Sequence, residues 1–346
     1  MANLRSVSVE TLPVVHHRYG RAYLSNITPT RPDRAAGRTR ADASLHFWRR
    51  DTLSGGLTDR RRRVQSIHLV REGSRVPSIA TAAGLVEYRQ TGSGMPLLVL
   101  HGTPGGSDQG VVAAEVLGVD ARVIAPSRPG YLGTPLSTGR TPSEQAAAMV
   151  ALLDELEVER AVVVGLSGGG MTAAALAAEH PTRVRGLVLW SAVTAPMRIP
   201  VWPLLHGPLA HRSTGEALLR RLQRAPRLLI GRAAGDERTA RTALAIAQTV
   251  FPIEDRRDGL ANDAEQARRF DAAILPAITA PVLIVHGTKD RNVPYRQATQ
   301  AMQSMPNARL ITVPGANHWT TPADRLARAA LSAFLDDIAS GPSRDV

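Results

Sequence analysis

The sequence of 346 residues contains no cysteine. Structural disulfides, thiolate metal sites and a cysteine nucleophile are therefore excluded. No uninterrupted apolar run approaches the roughly 18–20 residues that a membrane-spanning helix needs, and the first 20 residues lack the apolar core of a secretory signal. These absences predict a soluble cytoplasmic protein without a membrane partner.

Lysine is nearly absent as well, and the basic residues are unevenly distributed. Lys289 is the only lysine, while arginine brings the net charge to +12. Residues 1–78 hold 15 arginines against six acidic residues, so the remainder is close to neutral. Because residues 1–77 also lack a sustained period of 2 or 3.6, we interpret them as a disordered extension. A phosphate-binding arm is the alternative, but an arginine cluster alone is weak evidence for a nucleic-acid partner, and we expect none.

Beyond residue 78, short apolar runs bounded by turn residues alternate with helix-like stretches. The clearest helix is predicted over 141–159, where Thr141 and Glu144 have the spacing of a capping box. Buried apolar runs separated by helices indicate a parallel sheet covered on both faces, which predicts one α/β domain over residues 78–340. The strand-like runs are 82–90, 97–100, 121–126, 161–166, 186–190, 281–287 and 309–314.

One long segment, residues 191–275, interrupts this alternation. It contains no strand-like run but three helix-like ones, at 213–224, 236–250 and 262–275. Its length, about 80 residues, is enough to cover one edge of a sheet. We therefore expect a helical lid over the carboxyl ends of the strands.

The strongest chemical signal is the sequence Gly-Leu-Ser-Gly-Gly over residues 165–169. It lies between the run 161–166 and a helix-like stretch, so Ser167 is expected in a sharp strand-to-helix turn that exposes its hydroxyl. Such a turn needs very small residues two positions before and after the serine, and both are glycine. Ser167 is therefore the candidate nucleophile.

A second glycine-rich loop, HGTPGG over residues 101–106, directly follows the apolar run 97–100. A loop that leaves a strand there can direct the backbone N–H of Thr103 toward Ser167. The N–H of Gly168, at a helix N-terminus, is the second candidate donor. Two converging N–H groups can stabilise the oxyanion that forms during acyl transfer.

A serine nucleophile needs a base, and the base needs a carboxylate to orient it. Of the ten histidines, His318 lies on a loop after the run 309–314, at the expected carboxyl edge. Asp290 follows the run 281–287 and is the candidate carboxylate. The order serine, aspartate, histidine is the one expected of a hydrolase with this strand-to-helix serine.

From about residue 80 to residue 338 the chain resembles the lid-bearing branch of the α/β-hydrolase superfamily. The resemblance rests on HGTPGG, SRPGYLGTP, GLSGGG, HGTKDRNVP and GANHW, in that order. It implies an eight-stranded, mostly parallel sheet with helices on both faces, a helical lid, and a triad of Ser167, Asp290 and His318. Related sequences often read D-R-P-G-x-G where this chain has Ser127 and an extra Leu132, so the contacts of that loop are not predicted.

The expected function is a serine hydrolase that cleaves a small carboxylic ester or related acyl compound through an acyl-enzyme. The resemblance leaves open an amidase similar to proline iminopeptidases, a lactonase, a carbon–carbon bond hydrolase, or a non-catalytic ligand-binding member. Neither cofactor nor metal is expected, since no ligand cluster is visible, and the sequence does not indicate an oligomeric state. Four aromatic residues are candidate pocket walls: Trp190, Trp202, Phe251 and Trp319.

Overall fold

The computed structural model describes residues 76–230 and 236–341. Almost all of the arginine-rich extension expected over residues 1–77 lies outside the described residues. The strands are β1 (Ser78–Thr81), β2 (Gly84–Thr91), β3 (Pro96–Leu100), β4 (Arg122–Pro126), β5 (Ala161–Leu166), β6 (Val184–Trp190), β7 (Val282–Gly287) and β8 (Ala308–Val313).

Ten α-helices lie within the described residues. They are α1 (Ser107–Leu117), α2 (Pro142–Glu155), α3 (Gly169–Glu179), α4 (Trp202–His206), α5 (Arg212–Arg224), α6 (Arg227–Ile230), α7 (Glu237–Gln248), α8 (Arg257–Arg269), α9 (Arg296–Ser304) and α10 (Arg325–Ser340). In the part of the chain that the structure describes, no helix is both long and apolar enough to cross a membrane.

The strands form one eight-stranded sheet in the order β1-β2-β4-β3-β5-β6-β7-β8. The pairs β1/β2 and β2/β4 are antiparallel, and all other neighbours are parallel. This confirms the α/β class and the mostly parallel sheet. Because β3, β5, β7 and β8 run in one direction, the loops that follow them emerge at one edge, where open α/β sheets bind ligands.

Helices cover both faces of the sheet, as the uninterrupted apolar strands predict. Alternate residues of β3 point to opposite faces: Leu98 and Leu100 belong to an apolar cluster that includes α2, α3 and α9, whereas Leu97 and Val99 belong to one that includes α1 and α10. Burial of both faces of the central strands β3, β5 and β7 explains the absence of a polar alternation in these runs. The core therefore lies in two layers, one on each face of the sheet.

Among the elements that were not predicted, β1 and α1 each have a local reason. The strand β1 is short and half exposed, so the sequence SIAT carries no buried run. The helix α1 contains Gly110, which weakens helix propensity, but a Cβ there would lie 2.7 Å from the Cβ of Ala125 on β4. Close packing of α1 on the sheet thus favours glycine over a better helix former.

The segment between β6 and β7, residues 191–281, is called here the inserted segment. In its described part it contains α4 to α8 and short 3₁₀ helices but no strand, as expected. The helix predicted over 262–275 is wrong in its bounds: α8 begins at Arg257 and ends at Arg269. A 3₁₀ helix, Ala272–Ala277, follows because Pro276 removes an α-helical hydrogen bond.

The capping box at the start of α2 gives a prediction about stability. Thr141 accepts a hydrogen bond from the backbone N–H of Glu144, whose carboxylate accepts one from the N–H of Thr141. Thr141→Ala should lower the free energy of unfolding by about 1 kcal/mol, because one helix N–H loses its acceptor. Urea denaturation followed by circular dichroism measures this. Thr141→Ser keeps the hydroxyl and serves as the control; equal stability of the two variants would contradict the prediction.

Candidate active site

The predicted catalytic residues and Thr103 lie on loops that leave the same edge of the sheet. Thr103 follows β3, Ser167 follows β5, Asp290 follows β7 and His318 follows β8. Asp290 and His318 are in direct contact, and Ser167, His318 and Thr103 line one cavity. The parallel topology therefore brings together side chains that are separated by up to 215 residues in the chain.

Ser167 occupies a strained turn between β5 and α3. Its φ angle is 48°, in the left-handed region that residues other than glycine rarely adopt. A Cβ at Gly165 would lie 2.7 Å from the Cβ of Ala173, and one at Gly169 would overlap the carbonyl oxygen of Leu100. The glycines two positions before and after Ser167 are therefore required by close packing, which is the physical reason that the five-residue pattern signals this turn.

The pair of Asp290 and His318 has the geometry of an oriented base. The Nδ1 of His318 lies 2.7 Å from Oδ2 of Asp290, whose Oδ1 accepts the N–H groups of Asn292 and Val293 at 2.9 Å each. Burial alone would raise the pKa of Asp290, but the hydrogen bond from His318 and the backbone N–H of Val293 outweigh burial and lower it. An ionised Asp290 accepts the Nδ1 proton, which leaves the Nε2 of His318 free to take a proton.

A second histidine, His286, lies behind this pair. Its Nε2 is 2.9 Å from the carbonyl oxygen of Val293 and 3.4 Å from Oδ2 of Asp290. Burial lowers the pKa of His286, so its neutral form is favoured. The ring therefore supports the loop that carries Asp290.

The two candidate oxyanion donors are adjacent. Neither the N–H of Thr103 nor that of Gly168 has a hydrogen-bond partner among the described residues. A Cβ at position 168 would overlap Oγ1 of Thr103, so only glycine permits this close approach. The Thr103 hydroxyl donates to Oδ2 of Asp263 at 2.5 Å. Sequence reasoning missed Asp263, which is 160 residues away and belongs to no recognisable motif.

The loop that carries Thr103 is also held by His101. Its ring Nδ1 lies 2.8 Å from the carbonyl oxygen of Gly102, and its Nε2 lies 2.9 Å from the backbone nitrogen of Arg128. A backbone N–H can only donate, so Nε2 accepts and the proton sits on Nδ1. Burial, followed by the charge of Arg128, lowers the pKa of His101 well below its usual value. A neutral His101 therefore orients this loop.

A cavity of about 790 Å³ opens beside Ser167. Of the aromatic residues expected in its wall, Trp190, Phe251 and Trp319 line it. Trp202 does not line it: its side chain is 69% exposed and packs on His206, one turn further along α4. The remaining wall is mostly aliphatic. Within residues 76–230 and 236–341, no three His, Asp or Glu side chains gather as metal ligands.

Comparisons with known proteins agree with this architecture. A family model described as the alpha/beta hydrolase family matches residues 97–329. The 2-hydroxymuconate semialdehyde hydrolase of Pseudomonas sp. (strain CF600) is 30% identical over 262 residues, which cover 69% of this chain and 86% of that protein. An uncharacterized hydrolase of Bacillus subtilis (strain 168), YcgS, is 36% identical over 120 residues, 35% of this chain and 42% of that protein.

Among solved structures, an alpha/beta hydrolase fold protein from Nakamurella multipartita superposes with a TM-score of 0.68 at 31% identity. The superposition covers 77% of this chain and 100% of that protein. The superposition therefore includes the whole of that structure.

The contact between Asp290 and His318 predicts the position of a proton. In Asp290→Asn, the amide oxygen can keep the bonds to the backbone N–H groups, which turns the NH₂ group toward His318. Because an NH₂ group only donates, the imidazole proton should move from Nδ1 to Nε2.

Nitrogen-15 NMR of histidine-labelled protein measures this shift, and the spectrum of His318→Gln identifies the signals. Asp336→Asn, an exposed change on α10, is the matched control and should leave them unchanged. A proton that stays on Nδ1 in Asp290→Asn would contradict the assigned contact.

Proposed function

Since the chain belongs to the alpha/beta hydrolase family, we propose that it is a serine hydrolase that cleaves carboxylic esters of small molecules. The observation that carries the proposal is the 2.7 Å contact of Asp290 and His318, beside a cavity that His318 shares with Ser167. A hydroxyl, an imidazole and a carboxylate in this order are the parts that nucleophilic acyl transfer needs.

In the proposed reaction, Oγ of Ser167 attacks the ester carbonyl carbon while Nε2 of His318 takes the hydroxyl proton. Asp290 keeps the other imidazole proton on Nδ1 and stabilises the charged ring. The tetrahedral intermediate then breaks its bond to the alcohol oxygen, which receives the proton from Nε2. Water repeats the sequence on the acyl-enzyme, so the net products are one carboxylic acid and one alcohol.

The negative oxygen of the tetrahedral intermediate needs donors that are already in place. We assign this role to the N–H groups of Thr103 and Gly168, because neither has a hydrogen-bond partner among the described residues and Oγ1 of Thr103 occupies the position of a Cβ on Gly168. Loss of one such donor typically lowers kcat by about 10²- to 10³-fold. The donors belong to two different loops, after β3 and β5, so their spacing depends on how these loops are held.

The cavity supports a substrate that is largely apolar. Its volume, about 790 Å³, is within the usual range for a small-molecule site. Leu218 and Leu222 of α5 and Ile246 of α7 form part of its wall together with Trp190 and Trp319. We therefore propose that these helices of the inserted segment serve as a lid, within the expected range of 191–275, and select the acyl or alcohol group.

A second candidate is hydrolysis of a carbon–carbon bond. It is favoured by the relative from Pseudomonas sp. (strain CF600), whose name states that it acts on 2-hydroxymuconate semialdehyde. The purified protein should be assayed on that compound and on short-chain p-nitrophenyl esters under the same conditions. A higher kcat/KM for 2-hydroxymuconate semialdehyde would replace the ester proposal with the carbon–carbon one.

The nucleophile itself is tested by substitution. Ser167→Ala should lower kcat on p-nitrophenyl esters by about 10⁴- to 10⁶-fold, since no other group would form the acyl-enzyme. It should also abolish labelling by a fluorophosphonate probe, measured by intact mass. Ser304→Ala, an exposed serine on α9, should leave both unchanged.

One competing serine must be tested in the same way. Ser191 lines the same cavity, and its buried hydroxyl has no hydrogen-bond partner among the described residues. If labelling persists in Ser167→Ala and disappears in Ser191→Ala, the nucleophile is Ser191. If the wild-type protein is not labelled and is active neither on any ester nor on 2-hydroxymuconate semialdehyde, a non-catalytic ligand-binding role replaces the proposal.

A further inference from the structure

A buried carboxylate from the inserted segment lies directly behind the candidate oxyanion loop. Asp263 of α8 is 1% exposed, and its Oδ2 accepts hydrogen bonds from the hydroxyls of Thr103 and Tyr131, both at 2.5 Å. The two terminal nitrogens of Arg128 donate to its Oδ2 at 2.6 Å and to its Oδ1 at 2.9 Å. Four donors thus converge on one carboxylate, which compensates for the loss of its hydration.

Arg128, the cation bound to Asp263, also holds the backbone of the loop that carries Thr103. Arg128 is fully buried; its Nε donates to the carbonyl oxygen of His101 at 3.1 Å and its Nη2 to that of Gly102 at 3.3 Å. Burial alone would lower the pKa of Arg128, but the carboxylate of Asp263 outweighs burial and raises it. Arg128 stays charged, and it fixes the two residues that precede Thr103.

The Thr103 hydroxyl connects this buried group to the other candidate donor. Its Oγ1 occupies the space where a Cβ at Gly168 would stand, and Oδ2 of Asp263 would be 3.6 Å from that position. Any rotation of the Thr103 side chain would break its bond to Asp263 or change its contact with Gly168. The side chain therefore limits how closely the loop of Thr103 can approach Gly168.

The helix that supplies Asp263 is joined to the catalytic face of the sheet by close backbone contacts. The N–H of Gly259 donates to the carbonyl oxygen of Gly130 at 2.8 Å, and a Cβ on Gly130 would lie 2.6 Å from the nitrogen of Gly259. Asn262 donates to the carbonyl oxygen of Arg140 at 2.8 Å. These contacts make α8 part of the base of the site, while its Leu260 lines the cavity together with residues of α5 and α7.

We propose that Asp263 is a positioning residue of the oxyanion hole, which acts through the hydroxyl of Thr103 and does not touch the substrate. The inference rests on the proposed function, because it assumes that the Thr103 N–H binds the oxyanion. The proposal also gives two roles to the inserted segment. Its helix α8 holds the loop of Thr103 in place, and the helices before α8 select the substrate.

The most informative variant is Thr103→Val, which removes the hydroxyl at nearly constant volume and leaves Asp263 its other three donors. We expect kcat on p-nitrophenyl esters to fall about 10- to 100-fold, less than the loss of a complete donor, with little change in KM. Thr103→Ser keeps the hydroxyl and should retain most of the activity. Asp263→Asn should lower kcat at least as much as Thr103→Val.

Two further measurements separate positioning from a purely structural role. An alkyl boronic acid, which forms a tetrahedral adduct with a serine, should bind Thr103→Val more weakly by the same factor as kcat/KM falls. The affinity for the product carboxylic acid should not change. If the two residues act as one unit, Thr103→Val combined with Asp263→Asn should be no worse than Asp263→Asn alone.

The controls keep this inference distinct from the proposed function. Asp258→Asn changes an exposed carboxylate on the same helix and should leave kcat and boronic acid affinity unchanged. If Ser167→Ala keeps its activity, the proposed function is wrong. If Ser167→Ala is inactive but Thr103→Val has wild-type kcat and boronic acid affinity, only the role of Asp263 is overturned. Loss of kcat in Asp263→Asn without loss of boronic acid affinity would also overturn it.

Discussion

The site depends on the backbone of one residue, Ser167, held at a φ of 48° between a buried strand and a helix. Such a conformation costs a residue other than glycine about 1–3 kcal/mol, so the surrounding structure must enforce it. The N–H of Ser167 donates to the carbonyl oxygen of Trp190, and its carbonyl oxygen accepts from Val193. Hydrogen bonds to the strand β6 and to the loop after it therefore fix the turn, and with it the exposed hydroxyl.

The other groups converge on this turn from two sides. From β7 and β8 come Asp290 and His318, whose hydrogen bond orients one imidazole nitrogen and leaves the other available. From β3 comes Thr103, which Asp263 holds against Gly168. The sheet alone brings the first pair to the correct edge. The contact of Thr103 with Gly168 also requires Asp263 of α8. The inserted segment therefore contributes to the base of the site as well as to the cavity wall.

The sequence was informative wherever a local rule governs the structure. The capping box of Thr141 and the strands of the parallel sheet follow from spacing and hydrophobicity, and the structure confirms them. The small residues around Ser167 also reflect a local steric limit. In contrast, Asp263 lies among polar residues of a helix, and its burial depends on a partner, Arg128, that is 135 residues away. Trp202 was wrongly assigned to the pocket wall. The sequence around an aromatic residue does not show whether its side chain lines a cavity or lies on the surface.

We propose that Ser167 forms the covalent bond to substrate while the N–H groups of Thr103 and Gly168 bind the oxyanion. A crystal structure of the protein after reaction with a p-nitrophenyl alkylphosphonate tests it most directly. We expect electron density continuous from Oγ of Ser167 to phosphorus, with the phosphoryl oxygen within hydrogen-bond distance of the N–H groups of Thr103 and Gly168. Phosphorus bound to another side chain, or a phosphoryl oxygen directed away from both N–H groups, would contradict it.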